Sequence, residues 1–198
     1  MRVGVLALQG AFIEHEKILK NLGCETIQVR KKEHLKNIDG LIIPGGESTT
    51  IAKLMNEFNL TDPIKHLAEQ GMPIFGTCAG LIVIAKEIVN SNQPRLGLMN
   101  ISVRRNAYGR QVDSFETDLQ IKGLGQEPFR AVFIRAPYIE SVDEGVEVLA
   151  TVDEKIVFAR EKNFMVTAFH PELTDDNRVH KSFVDLCNKF HNSVDNPQ

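Results

Sequence analysis

Four apolar, β-rich runs are each followed by a stretch with helical or charged character, and this alternation constrains the chain more than any other feature. Residues 2–8 read as a strand ending at Gln9-Gly10, and residues 12–22 place Ile13, Ile18, Leu19 and Leu22 at helical intervals before Gly23. Residues 26–29 form a second strand, and a charged stretch leads from it to a third at 39–43, which ends in Pro44-Gly45-Gly46. A helix beginning near Ser48 carries Ile51, Leu54, Met55 and Phe58, and Thr61-Asp62-Pro63 reads as a cap with proline in the first turn of a helix reaching about residue 70. Residues 72–76 are the fourth strand and 79–89 a strongly apolar helix. Strands alternating with helices through short loops imply parallel βαβ units with right-handed crossovers.

The second half changes character. Segments 101–104, 115–121, 130–135, 146–152, 156–160 and 164–168 are strand-like with few helices between them, which predicts an antiparallel or mixed extension of the same sheet. Asp175 or Asp176 can cap a last helix whose apolar face is Val179, Phe183, Leu186, Cys187 and Phe190, and residues 193–198 form a polar tail expected to fray. The expected fold class is α/β: an open, mostly parallel, flavodoxin-like three-layer sheet with antiparallel or mixed strands added in the second half. One domain over residues 1–198 is expected, since the length suits a single core.

Composition narrows the function classes. Lys and Arg number 23 against 26 Asp and Glu, a net charge of −3, so the basic excess of a nucleic-acid binder is missing. No apolar run approaches the roughly 20 residues of a membrane span, and the first residues lack a signal-peptide cleavage pattern. No nucleic-acid or membrane partner is expected. The three cysteines, at 24, 78 and 187, show no CxxC spacing and suit neither a disulfide framework nor a zinc site. A reducing cytoplasm, with no metal and no cofactor, is the expected setting.

In open α/β sheets, ligands bind beyond the carboxyl ends of the parallel strands. Three unusual loops fall there: Gln9-Gly10-Ala11, Pro44-Gly45-Gly46-Glu47-Ser48 and Gly76-Thr77-Cys78-Ala79-Gly80. The last is G-x-C-x-G between a strand and a helix, the cysteine counterpart of the G-x-S-x-G nucleophile elbow. A free thiol is only about 3% thiolate at neutral pH, so a helix N-terminus and an imidazole would be needed to activate it. The Ala79 N–H then points where a tetrahedral oxyanion forms, and Gly46, in a Gly-Gly turn with no side chain to block a ligand, offers the second donor. Of six histidines, His170 stands apart: it ends a strand-like run and precedes Pro171-Glu172. Triad logic makes Cys78 the nucleophile, His170 the base and then acid, and Glu172 the carboxylate that orients it. His15, His34, His66, His180 and His191 lie in or near charged, helix-like segments and are expected in solvent, while Cys24 and Cys187 read as core. The basic loop 104–110 can fork a substrate carboxylate, dock a partner or simply be solvated.

Taken together, LALQGA, PGGEST, GTCAGLI, RRNAYGRQVDSF, FIRAP and AFHPE, in that order, give a chain that resembles the class I, triad-type glutamine amidotransferases. Within them it is most similar to the glutaminase subunits of glutamine-dependent pyridoxal 5′-phosphate synthases. The resemblance implies hydrolysis of L-glutamine to L-glutamate and ammonia through a glutamyl thioester. It places substrate contacts at Gly46, Glu47, Ser48, Arg105, Ile134 and Arg135. It also implies a partner, the synthase subunit that builds pyridoxal 5′-phosphate from pentose and triose phosphates, in a twelve-plus-twelve assembly, with the glutaminase poorly active until docked. A soft Gly45–Gly46 peptide suggests that docking turns this peptide so that its N–H faces the oxyanion. Three other readings stay open on residues alone: another cysteine hydrolase on the same fold, a non-catalytic binding module, and a glutaminase serving a different synthase.

Overall fold

The computed structural model describes residues 1–105 and 114–195. In chain order the first half holds β1 (Arg2–Leu6), α1 (Phe12–Asn21), β2 (Glu25–Val29), β3 (Gly40–Ile43), α2 (Ser48–Glu57), α3 (Thr61–Glu69), β4 (Ile74–Thr77), α4 (Ala79–Ile84) and β5 (Ala85–Ile88). The second half holds β6 (Met99–Arg104), β7 (Ser114–Leu119), β8 (Phe129–Ile134), β9 (Tyr138–Val142), β10 (Glu147–Val152), β11 (Lys155–Glu161), β12 (Phe164–Thr167) and α5 (Arg178–Asp195). Short 3₁₀ turns occupy Lys32–Leu35 and Pro171–Leu173.

The main sheet runs β2-β1-β3-β4-β12-β11-β9-β6-β5, with β10 paired to β11. Its first five strands are parallel and follow the doubly wound order 2-1-3-4-5, with β12 as the fifth. Right-handed crossovers in opposite directions from β1 send helices to opposite faces; α1 packs beside α5, and α2 beside α4. The α/β sheet with an added mixed region is the architecture the sequence implied.

Several elements differ from expectation, each for a local reason. The helix expected over 79–89 stops at Ile84, because the Val83 and Ile84 carbonyls accept from Leu96 N (2.7 Å) and Leu98 N (2.9 Å) of the returning chain. Ala85–Ile88 then becomes a strand beside β6. The segments expected at 115–121 and 130–135 leave the main sheet and pair with each other as a β7–β8 hairpin. Stacked Phe115 and Phe133 rings, 4.6 Å apart, hold the hairpin together, and Phe129 and Phe133 pack on Phe169 just beyond β12. Strand β9 has no counterpart in the sequence reading; it follows Pro137 and mixes apolar with polar residues. On α1 the buried stripe is His15, Glu16 and Leu19, so Ile13 faces outward. Thr61 is inside α3 rather than its cap, which is Leu60; its hydroxyl donates to Asn56 Oδ1 instead. Asp176 does receive the Arg178 N–H at the start of α5 (3.0 Å), and this helix continues through Asp195, into the tail expected to fray.

Close packing of α4 onto the sheet fixes the site. A Cβ at Gly80 would overlap the Ile43 carbonyl oxygen, a backbone atom that cannot step aside, and one at Gly76 would lie 2.6 Å from the Gly80 carbonyl. Gly80→Ala is therefore expected to lower stability by about 2–4 kcal/mol. A denaturant midpoint equal to that of the unsubstituted chain would show that α4 can move off β3.

Candidate active site

Strand register assembles the site. β3, β4 and β12 lie side by side, with Ile43 level with Gly76 and Thr77 level with Thr167. The residues just beyond these pairs, Gly45, Cys78 and His170, therefore emerge at one rim. Cys78 takes φ 50° and ψ −102°, a left-handed backbone for a residue with a side chain. Such strain costs on the order of 1–3 kcal/mol and persists where the surroundings over-determine it. Here Cys78 N–H donates to Thr167 O (2.8 Å), while the thiol points at Ile134 O (3.8 Å).

His170 reaches Cys78 because proline follows it. Pro171 disfavours helical backbone at the preceding residue, and His170 is held at φ −103° and ψ 87°. A 3₁₀ turn then brings Glu172 back under the ring, with Leu173 N–H donating to His170 O (3.2 Å). His170 Nδ1 donates to Glu172 Oε1 at 2.6 Å, and its backbone N–H donates to Val132 O of β8 at 2.8 Å. The β7–β8 hairpin thus grips both sides of the pair, through Val132 O on the histidine and Ile134 O on the thiol. Burial pulls the imidazole toward neutrality, but hydrogen bonds to Cys78 and Glu172 and their negative charge outweigh it, and its pKa is pushed up to about 10. The stability this confers is complete below about pH 6.5 and is lost as pH rises through about 10. A thiol beside an imidazole aligned by a carboxylate is the arrangement of an activated nucleophile.

These groups open into a cavity of about 530 Å³, within the usual range for small-molecule sites. Gly46, Glu47, Ser48, Ala79, Arg105, Ile134 and Arg135 all line it with Cys78 and His170, as do Gln9, Gly10 and Ala11. Glu172 sits behind His170 with its side chain fully buried. A Cβ at Gly45 would overlap the His170 ring, so bare backbone passes over the pair. Glu47 caps α2: its carboxylate accepts from Thr50 N (2.8 Å) and Thr49 N (3.3 Å). Hydrogen bonds from Thr49, then Thr50, hold its pKa down to about 2 despite partial burial. Ser48 is buried against Gln93, and the Arg105 guanidinium donates to Gln93 Oε1 (2.7 Å). In the basic loop, Arg104 is paired with Glu140 (2.6 Å) and residues 106–110 lie outside the described residues.

Comparison with known proteins decides the family. The model of the SNO glutamine amidotransferase family matches residues 5–189. The chain belongs to this family. The pyridoxal 5′-phosphate synthase subunit PdxT of Carboxydothermus hydrogenoformans is 62% identical over 93% of this chain and 97% of that protein. PdxT of Pelotomaculum thermopropionicum is 63% identical over 94% and 95%. A crystal structure of a glutamine amidotransferase superposes with a TM-score of 0.90 at 52% identity, covering 94% of this chain and 98% of that one. PurLQS from Thermotoga maritima shares the fold, with a TM-score of 0.70 at 18% identity over 93% of this chain and 97% of that one. The family indicated by the motifs is the one found, and the chain is an amidotransferase enzyme. No helix among the described residues is long and apolar enough to cross a membrane.

Two histidines depart from expectation. His15 and His180 are wholly buried, not solvated. The signal was present in the spacing: His15 lies four residues before Leu19 on the inward stripe of α1, and His180 precedes Phe183 and Val184 by three and four on α5. Burial holds His180 down to about 4. An unfolded histidine binds its proton near 6.5, so the unfolded chain takes up protons that the folded chain refuses, and stability falls as pH drops from about 6.5 toward 4. His180→Phe is expected to make this acid-side loss shallower in denaturant midpoints measured across that interval. An unchanged slope would mean that other groups set it. Cys24 and Cys187 are buried free thiols, as expected.

Proposed function

We propose that the chain hydrolyses L-glutamine to L-glutamate and ammonia through Cys78, His170 and Glu172, and passes the ammonia to a synthase subunit that makes pyridoxal 5′-phosphate from pentose and triose phosphates. The observation that carries this reading is the line Glu172–His170–Cys78, with the nucleophile on a strained elbow facing a cavity. The names of the PdxT relatives support the product and the partner.

In this reading Cys78 Sγ attacks the side-chain amide carbon of glutamine. The negative charge that develops on the amide oxygen is met by the Ala79 and Gly46 N–H groups; each such donor is worth about 10²–10³ in kcat. As the tetrahedral intermediate collapses, His170 Nε2 gives its proton to the departing nitrogen, which leaves as ammonia and a glutamyl thioester. His170 then takes a proton from water, the hydroxide attacks the thioester carbon, and glutamate leaves as the thiol re-forms. Glu172 stabilises the imidazolium at each turn. The Arg105 guanidinium, presently on Gln93, can exchange that neutral acceptor for the substrate α-carboxylate, a charge-assisted bond. Backbone groups of Gly46, Glu47, Ser48, Ile134 and Arg135 complete the substrate contacts.

The gating idea gains a physical handle. Ala11 N–H donates to Gly45 O (3.1 Å) and Gly45 N–H donates to Thr77 Oγ1 (3.1 Å), so both sides of this residue are tied down. Turning the Gly45–Gly46 peptide breaks the Ala11 bond, a net cost of about 1 kcal/mol that a partner contacting the rim at Gln9–Ala11 can supply. The twelve-plus-twelve assembly belongs to the same proposal.

Glutamate release is expected to rise sharply when the synthase subunit is added and to vanish in Cys78→Ala at unchanged complex formation. Equal release with and without the partner would remove the gating, and full release by Cys78→Ala would remove the triad.

A further inference from the structure

Behind the triad lies a buried polar chain that hydrolysis by Cys78, His170 and Glu172 does not by itself require. Glu172 uses one oxygen for His170; the other, Oε2, is buried without a well-formed hydrogen bond. The atom facing it is His15 Nε2, at 3.5 Å. The same nitrogen lies 3.3 Å from Thr77 Oγ1, and the other ring nitrogen, Nδ1, lies 2.8 Å from His180 Nε2. Thr77 Oγ1 accepts the Gly45 N–H of the loop over Cys78. One imidazole on α1 therefore stands between the carboxylate that aligns the base and the hydroxyl that pins the loop.

Proton positions along this chain follow from its two ends. An ionised Glu172 can only accept, so Nε2 of His15 must carry hydrogen; a bare nitrogen there would face a bare oxygen. Burial first, then the nearby His180 and His170, keep His15 far below its ordinary pKa, so the ring is neutral and Nδ1 is an acceptor. His180 then donates from Nε2, and its Nδ1, which has no hydrogen-bond partner among the described residues, is left as a bare lone pair. The opposite polarity would bury an unsatisfied N–H at His180 and oppose two lone pairs at Glu172. The groups facing His15 are His180 from α5, Glu172 and His170 beyond β12, and Thr77 and Phe75 of β4, the last an edge-on ring at 6.4 Å.

We propose that His15 is a positioning residue for glutamine hydrolysis, its Nε2–H joining Glu172 to Thr77 and so locking the acid–base pair and the Gly45 loop into one frame. The proposal rests on the roles given above to Cys78, His170 and Glu172. A ring held this way restricts Glu172 to the orientation that serves His170 and sets the height of the loop over the thiol. Misplacement of about 1 Å at such a site can cost on the order of a hundredfold in rate.

Two substitutions separate the two ring nitrogens. In His15→Gln the side-chain amide reaches the place of Nε2 and can still donate to Glu172 and Thr77. In His15→Asn it reaches only the place of Nδ1, keeps His180 and leaves Glu172 without its donor. In the complex with the synthase subunit, kcat for glutamate release is expected to fall about ten- to a hundredfold in His15→Asn, with KM changed less than about threefold, and to stay within about threefold of the unsubstituted enzyme in His15→Gln. Alkylation of Cys78 by iodoacetamide in the full chain gives a readout that needs no glutamine. Its pH profile is expected to shift in His15→Asn, because a carboxylate without its donor turns away from the His170 ring and supports the imidazolium less. In His15→Gln it is expected to return. Equal kinetics and equal alkylation profiles in the two variants, with only thermal stability changed, would overturn the proposal. Should the unsubstituted complex release no glutamate, the glutaminase reading fails, while the alkylation profiles still decide the role of His15.

Discussion

The parallel pairing of β4 with β12 is the constraint on which the rest depends. These strands are distant in sequence, and between them the chain makes the whole second-half excursion from β5 to β11. Their register sets Thr77 beside Thr167, so the first residue past one strand and the third past the other become neighbours. A slip of one residue would turn every side chain of β12 to the other face and separate Cys78 from His170. The Cys78 N–H to Thr167 O bond continues this ladder one step into the elbow, and it helps to hold a backbone conformation that an isolated cysteine would leave.

Around this pairing the protein sorts its buried histidines by what they face. His170 has a carboxylate on one nitrogen and a thiol at the other, and it is held charged. His15 and His180 are wholly buried, both against the Phe75 ring, and burial keeps them neutral. The same side chain is charged in one place and neutral in the others because charge pairing wins at His170 and desolvation wins at His15 and His180. The β7–β8 hairpin braces this arrangement: its carbonyls take the His170 amide and the thiol, while Phe129 and Phe133 pack on Phe169.

Much of this was legible in the residues. Alternating strands and helices gave the parallel half, because each βαβ unit is local and its strands are short, apolar runs. The three glycine-bearing loops and HPE pointed to the site, since tight turns, a cysteine set between glycines and a pre-proline histidine leave compositional marks. Three features left weaker marks. The fate of residues 85–88 is decided by the returning segment 96–98, a nonlocal partner that no window of sequence contains. The separation of β7 and β8 from the main sheet rests on a stacked pair of phenylalanines and on Phe169, again nonlocal. His15 and His180 carried a readable spacing, but their polar type suggested solvent, and it is the facing groups on β4, α1, α5 and the HPE turn that make their burial tolerable.

The central claim is that a single thiol, aligned by His170 and Glu172, attacks the side-chain amide of glutamine. The most direct measurement is labelling of the assembled complex with a glutamine-mimicking electrophile, with the adduct located by mass spectrometry. The account predicts one adduct, on Cys78, with Cys24 and Cys187 unmodified, slowed by L-glutamine and greatly slowed in Glu172→Gln. Labelling spread over the three cysteines, or indifferent to glutamine, would contradict it.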